Sequence, residues 1–121
     1  MAGLYREELA RLDLGTVLFP EPAGRVHAYY KFPVLLPEGR DRDSVVDALR
    51  GRYGIEGGSS DWPPCHLEPF YQRELAYRAG DFPVAETVLR RIVALPIFVG
   101  LTDGDVAVVC RGLADVLAEE D

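Results

Sequence analysis

The chain has 121 residues and a mass of 13.4 kDa, a size that suits one domain and is too small for a two-domain enzyme. Apolar residues make up 48% of it and charged residues 27%, a balance typical of a globular protein. The net charge of -7 disfavours nucleic acid as a partner, and the longest apolar runs are too short to span a membrane.

The first residues predict a short amphipathic helix over 3–12, because apolar side chains recur there at helical spacing. Residues 13–26 are rich in proline and glycine and predict a connecting loop. We expect both to lead into a core at residues 27–118, within a single domain that spans residues 1–121.

Residues 27–36 predict a half-buried strand, because apolar side chains alternate along them. The apolar face of this strand would hold Ala28, Tyr30, Phe32, Val34 and Leu36. Pro33 has no N–H for a sheet ladder, so we expect an edge strand or a bulge at that position.

The next helix is predicted to begin after Asp41, whose carboxylate can cap it, and to stop at Gly54, which tolerates a left-handed conformation. Residues 55–65 combine glycine, serine and proline and predict an irregular loop. We expect one more strand between this helix and the loop.

The following stretch predicts two further helices and a strand. A short helix is expected over residues 70–79 and a longer one over residues 82–92, with Pro83 in the first turn of the longer one. Residues 93–95 predict a short buried strand.

Thr102 and Asp105 have the spacing of a capping box at the start of a last helix. Its apolar stripe comprises Val106, Val109, Cys110, Leu113, Val116 and Leu117. Together the elements predict an α/β (α+β) fold, in which helices pack on a small sheet of three or four strands.

Two cysteines, Cys65 and Cys110, are too few for a disulfide framework, so we expect both to be reduced. No second Cys/His pair stands at a ligand spacing from Cys65 and His66, so no metal site is expected. The N-terminus lacks the pattern of a secretory signal, which favours a cytoplasmic location.

The arginines around the second helix have two interpretations. Arg40, Arg42, Arg50 and Arg52 could bind a nucleotide diphosphate through paired hydrogen bonds. The interpretation we favour is an exposed helix face whose arginines pair with neighbouring aspartates.

A series of short motifs follows the order found in one enzyme family. The motifs are His27-x-Tyr29, Arg42-Asp43 with Leu49, Gly54-Ile55, Trp62 to Tyr71, Gly80 to Glu86, Ala94-Leu95-Pro96 and Gly100-Leu101-Thr102. Together, over about three quarters of the chain, they resemble the C-terminal small domain of the DegT/DnrJ/EryC1/StrS aminotransferases. These enzymes use pyridoxal phosphate (PLP) to aminate keto-sugars, usually nucleotide-linked, or aminocyclitol precursors. The resemblance implies the small-domain fold of fold-type I PLP aminotransferases and a role in sugar or secondary-metabolite biosynthesis.

The resemblance also implies a substrate-facing loop. It places His66 near the substrate of an intact enzyme, where the imidazole could bond a sugar hydroxyl or phosphate, with Trp62 and Tyr71 beside it. In an isolated domain, a structural role for His66 is the alternative. Trp62, Phe70 and Tyr71 could equally form a docking patch for a large domain.

Three residues of this loop depart from the family pattern. Trp62 stands where tyrosine is common, Asp61 where histidine is frequent, and Cys65 where leucine is usual. The substrate class therefore stays open.

PLP chemistry needs a Schiff-base lysine, a carboxylate on the pyridine nitrogen, a stacked ring and a phosphate cup. In the family these groups come from a large N-terminal domain, of which this sequence contains nothing recognisable. The only lysine, Lys31, lies in the predicted strand beside no glycine-rich or acidic motif. We therefore expect no catalytic residue in this chain and no PLP bound to it alone.

Two functions from different classes follow. The first is an aminotransferase small domain that is inactive alone and acts with a PLP-binding large domain, in trans or as a fragment of one enzyme. The second is a stand-alone, non-catalytic module that binds a partner protein or forms a homodimer through the face that the large domain would cover.

Overall fold

The computed structural model describes residues 1–59 and 62–119. Within them, five helices are α1 (Ala2–Leu12), α2 (Arg42–Tyr53), α3 (Pro69–Leu75), α4 (Pro83–Leu89) and α5 (Asp103–Ala118). The strands are β1 (Val17–Leu18), β2 (Phe32–Leu35), β3 (Gly58–Ser59) and β4 (Ile92–Leu95), and a 3-10 turn spans Cys65–Leu67. The predicted α/β fold with a small sheet is confirmed.

The sheet has the order β1-β2-β4-β3, and all neighbouring strands are antiparallel. The Leu36 N–H donates to the Arg91 carbonyl at 2.9 Å, on the β4 side of β2. Because ladder bonds alternate between the two sides of a strand, the backbone nitrogen of Pro33 faces β1. β1 pairs only with Val34 and Leu35, so the proline removes no ladder bond.

The strand predicted over residues 27–36 is wrong in its first half, since β2 begins only at Phe32. Tyr29 adopts a left-handed φ of 47°, and its N–H donates to His27 Nδ1 at 2.8 Å instead of to a neighbouring strand. Ala28 is exposed and Tyr30 is 85% exposed. The alternation before Phe32 belongs to a loop.

The core lies between one face of the sheet and the helices α1, α2 and α5. Its buried side chains are Tyr5, Leu9, Phe32, Val34, Leu36, Val45, Leu49, Ile55, Val93, Leu95, Leu101, Val106, Val109, Cys110, Leu113 and Val116. The Tyr5 hydroxyl donates to the Pro96 carbonyl at 2.8 Å, which ties α1 to the residue after β4. The N-terminal helix is therefore part of the core.

The caps predicted for α2 and α5 are confirmed. Asp41 accepts a hydrogen bond from the Ser44 N–H at 2.8 Å, and Gly54 ends α2 with a φ of 65°. Thr102 and Asp105 form a reciprocal capping box at the start of α5. These local bonds satisfy backbone groups that a helix end otherwise leaves open.

The predicted exposed arginine face with aspartate partners is only partly right, because Arg42 is buried and Arg40 is half-buried and donates to the Leu117 carbonyl. The Arg42 guanidinium donates to Asp43 Oδ1 at 2.6 Å and to the Leu89 carbonyl at 3.1 Å, which joins α2 to the end of α4. Arg50 and Arg52 are exposed and pair with Glu56 and Glu119.

Three other boundaries differ from expectation. β1 lies within the predicted loop 13–26. A strand of two residues is too short to show an alternating pattern in the sequence. The helix predicted over 82–92 ends at Leu89, because Ile92 already belongs to β4. α3 stops at Leu75 rather than at residue 79. In the described part of the chain, no helix combines the length and hydropathy needed to cross a bilayer.

Candidate functional site

α3 and α4 lie apart from the core. Each begins with a proline at its first position, where the missing N–H costs nothing, and each is seven residues long. Every side chain of α3 is exposed, and no residue of α4 is buried. We call their exposed large apolar side chains the α3–α4 face; they are Phe70, Tyr71, Leu75, Phe82 and Val84. Exposed apolar clusters of this kind are characteristic of interaction surfaces.

Two open grooves run along this face. The first, of about 590 Å³, follows α4 and is lined by residues 81–85 with Val88 and Leu89. The second, of about 520 Å³, is the His66 groove, lined by Pro64, Cys65, His66, Tyr71, Leu75, Tyr77, Phe82, Ala85 and Leu89. Side chains of α4 line both, so the grooves form one continuous surface.

His66 lies at the base of its groove and is only 8% exposed. Its Nε2 is 2.8 Å from Glu86 Oε1, and its ring meets the ring of Phe82 edge-on, with 4.8 Å between centroids. Tyr77 presents its ring at 6.4 Å. The imidazole is therefore held by a hydrogen bond to a carboxylate and by contacts with two aromatic rings.

Glu86, the hydrogen-bond partner of His66, could not be identified from the sequence, because a glutamate on a short helix is typical of the solvent-exposed surface. Its Oε1 accepts hydrogen bonds from His66 Nε2 and, at 2.8 Å, from the Gly80 N–H. These bonds, that from His66 first, lower the pKa of the Glu86 carboxyl below its ordinary value. An ionised carboxylate only accepts, so His66 Nε2 carries a proton.

The other two predicted site residues are placed differently. Tyr71 shares the groove with His66, is 41% exposed and packs edge-on against Phe70. Trp62 does not line the groove. Its ring lies within cation–π distance of two guanidinium groups, with Arg90 Cζ at 5.0 Å and Arg42 Cζ at 5.8 Å from the ring centroid.

The structure thus brings His66 and Tyr71 together and sets Trp62 apart. Asp61, a departure from the family pattern, lies outside the described residues. Cys65 is exposed at the edge of the His66 groove, and no three His, Cys, Asp or Glu side chains of residues 1–59 and 62–119 converge in a way that could hold a metal ion.

The comparison with known proteins agrees with this geometry. The sequence profile of the DegT/DnrJ/EryC1/StrS aminotransferase family matches residues 1–114. The chain belongs to this aminotransferase family. An uncharacterised protein of Methanocaldococcus jannaschii is 33% identical over 98% of the chain. The spore coat polysaccharide biosynthesis protein SpsC of Bacillus subtilis is 29% identical over the whole chain.

Solved structures of aminotransferases share the fold. DesV of S. venezuelae, in complex with a ketimine intermediate, superposes with a TM-score of 0.81 at 28% identity over 99% of this chain. DesI, in the presence of its TDP-sugar product, gives 0.78 at 25% identity over 96% of it. The chain spans 31% of DesV, 29% of DesI and 31% of the two curated relatives.

The residues of this family member do not fit PLP. The one lysine of the sequence, Lys31, lies before β2 with its Nζ 5.7 Å from the centroid of the Tyr30 ring. It lines neither groove of the α3–α4 face. Neither groove joins a lysine to a carboxylate for the pyridine nitrogen and a phosphate cup, so we derive no step through this cofactor.

Proposed function

We propose that this chain is the small domain of a sugar aminotransferase, inactive alone and acting with a PLP-binding large domain. That domain would belong to the same polypeptide or to a second chain. The observation that carries the proposal is the α3–α4 face, where five large apolar side chains lie exposed on or beside two helices that have no buried residue. Family membership and the 31% span of the relatives support a large domain as the body that would cover it.

The substrate we propose is a keto-sugar, usually nucleotide-linked, or an aminocyclitol precursor. The names of two relatives support a sugar: SpsC serves spore coat polysaccharide biosynthesis, and DesI was solved with a TDP-sugar product. In the assembled enzyme the domain would close over the cofactor cleft. Tyr71 and Trp62 would contribute accessible rings to the substrate wall, and His66 the outer edge of its imidazole.

The test is to mix the purified chain with PLP, reduce it with borohydride and locate any modified residue by mass spectrometry. We expect no stoichiometric adduct, because Lys31 has no surrounding PLP site. The Lys31→Arg variant gives the background of the reaction. A single stoichiometric adduct at Lys31, absent from that variant, would show that the chain is a cofactor enzyme by itself.

The alternative is a non-catalytic module that self-associates through the same face, and the exposed Phe70, Leu75 and Val84 favour it as much as they favour a large domain. Sedimentation analysis separates the two. A well-packed homodimer supports the module, whereas a monomer with weak, non-specific association supports the domain that lacks its partner. A cytoplasmic location is part of both proposals.

A further inference from the structure

Residues 62–90 form a continuous stretch that carries α3, α4 and the α3–α4 face. We infer that this 62–90 segment opens by local unfolding as one unit while the core stays folded, and that Arg42 holds it closed. The inference rests on the proposed function only in what it says of the large domain.

The first observation is the burial of the segment. No side chain of residues 62–90 belongs to the hydrophobic core, and none of its apolar side chains packs against the core. Pro64 and His66 are its only buried residues. Because buried apolar surface supplies the main stabilisation of a fold, opening this segment costs far less free energy than unfolding the core.

The second observation is that the segment is held together from within. Glu86 accepts hydrogen bonds from His66 Nε2 and the Gly80 N–H, both at 2.8 Å, and so joins the 3-10 turn to α4. The Phe82 ring packs against those of His66 and Tyr77, with 4.8 Å and 5.5 Å between centroids. α3 in turn contacts the 3-10 turn that carries His66. The two helices share these contacts, so we expect them to open together.

The third observation is the attachment of the segment to the rest of the chain. Its two ends are in contact, since Arg90 Cζ lies 5.0 Å from the centroid of the Trp62 ring. The Arg42 guanidinium reaches both ends: its Cζ is 5.8 Å from that centroid, and its Nη1 donates to the Leu89 carbonyl at 3.1 Å. Among the described residues, this is the one side-chain hydrogen bond between the segment and the remainder of the chain. Arg42 is buried and also bonded to Asp43, which fixes its guanidinium in place.

Opening of the segment has a consequence for the proposed enzyme. His66 and Tyr71, which we propose for the substrate wall, both lie within the segment and would be ordered or released together. A large domain docked on the α3–α4 face would bind the closed segment alone, because opening breaks up that face. Docking would therefore shift the segment toward its closed state.

The experiment is native-state hydrogen exchange of the ¹⁵N-labelled chain, followed by NMR at a series of low urea concentrations. The hydrogen-bonded amides of α3 and α4 should share one opening free energy and one urea dependence. We expect their opening to be at least about 100-fold more frequent than that of the core amides of α5.

A core variant tests whether the segment is independent. Ile55→Val removes one methylene from a buried side chain and should raise the exchange of the α5 amides about two- to tenfold. The open and closed forms of the segment both keep the core, so exchange in α3 and α4 should not change.

A second variant tests Arg42. Arg42→Met keeps an unbranched side chain and removes the guanidinium, so it should raise the opening of the segment roughly tenfold, the loss of one hydrogen bond from a charged donor. Arg50→Met is the matched control, because Arg50 lies exposed on the same helix and pairs with Glu56. It should leave the exchange of α3 and α4 unchanged.

Three outcomes would overturn the single unit: equal protection of the segment and α5 in the wild-type chain, different urea dependences for α3 and α4, or faster exchange of both helices in Ile55→Val. Unchanged exchange of the segment in Arg42→Met would overturn the role of Arg42. The PLP test is separate. A lysine adduct would defeat the proposed function without altering the exchange result, and a segment as stable as α5 would leave the small-domain proposal intact.

Discussion

The carboxylate of Glu86 holds three segments of the chain at one point. It bonds His66 from the 3-10 turn and Gly80 from the turn before α4, while its own backbone lies in α4. Because α3 and α4 bury no side chain in the core, such polar bonds take a larger share in ordering this region. The orientation of the predicted site histidine thus depends on a residue 20 positions away.

Glu86→Gln tests this role through pH. The folded-state pKa of Glu86 lies below its ordinary 4.5, so its ionised form stabilises the fold above that value, and this stabilisation is lost as pH falls through the lower folded-state pKa. Wild type should be more stable than the variant at pH 7, and the difference in unfolding free energy should shrink in acid below pH 4.5. Urea unfolding across pH measures it. Equal pH profiles for Glu86→Gln and wild type would contradict the role.

At the scale of elements, α5 packs closely against the end of α2 at Gly112. A Cβ at Gly112 would lie 2.9 Å from Ile55 Cδ1 and 3.2 Å from Tyr53 Cγ. The Tyr53 ring has little freedom to yield, because its hydroxyl donates to Asp115 at 2.9 Å, and Ile55 is buried. Gly112 is therefore the residue that allows the helix to pass over the end of α2.

We expect Gly112→Ala to destabilise the fold by about 1 kcal/mol, since the strain of overpacking exceeds the gain in helix propensity. Gly51→Ala in α2 is the matched control. Nothing lies within 4 Å of a Cβ there, so the variant should gain about 0.5–1 kcal/mol. Chemical unfolding of both variants measures the contrast. Equal stabilisation by the two substitutions would show that the side chains around Gly112 can move aside without lowering the unfolding free energy.

The whole molecule is asymmetric. On one side, α1, α2 and α5 cover the sheet and close the core. α3 and α4, by contrast, have no buried residue, and seven-residue helices are too short to be stable from propensity alone. The core is therefore formed by α1, α2, α5 and the sheet, whereas α3 and α4 leave apolar side chains exposed. This arrangement suits a small domain that packs against a larger one.

The open side should bind apolar dyes and promote weak association of the chain. Leu75→Glu should reduce both, because it places a charge in the His66 groove, while changing the unfolding free energy by less than about 0.5 kcal/mol at this exposed site. Gln72→Glu adds the same charge to the same helix and should leave dye binding unchanged. Dye fluorescence and sedimentation provide the readouts. Unchanged dye binding in Leu75→Glu would show that the α3–α4 face is not the surface that binds the dye.

Most of the fold could be predicted because its signals are local. Asp41 and Gly54 bound α2 and Thr102 starts α5 through bonds within a few residues. The predicted strand over 27–36 is wrong in its first half because alternation of apolar residues does not show whether a partner strand is present. The Tyr29 N–H instead donates to the nearby His27 side chain. Arg42 was misplaced for the same reason: its acceptor, the Leu89 carbonyl, lies 47 positions away.

By itself, the sequence determined the family and the main helices. It also showed that its one lysine stands in no PLP-binding motif. Each of these conclusions depends on residue types in a fixed order. Only the tertiary structure decided that Glu86 is the partner of His66, that the Trp62 ring contacts Arg42 and Arg90, and that α3 and α4 have no buried residue. The physical reason is that hydrogen bonds and burial join residues far apart along the chain, and their partners are set by packing rather than by spacing.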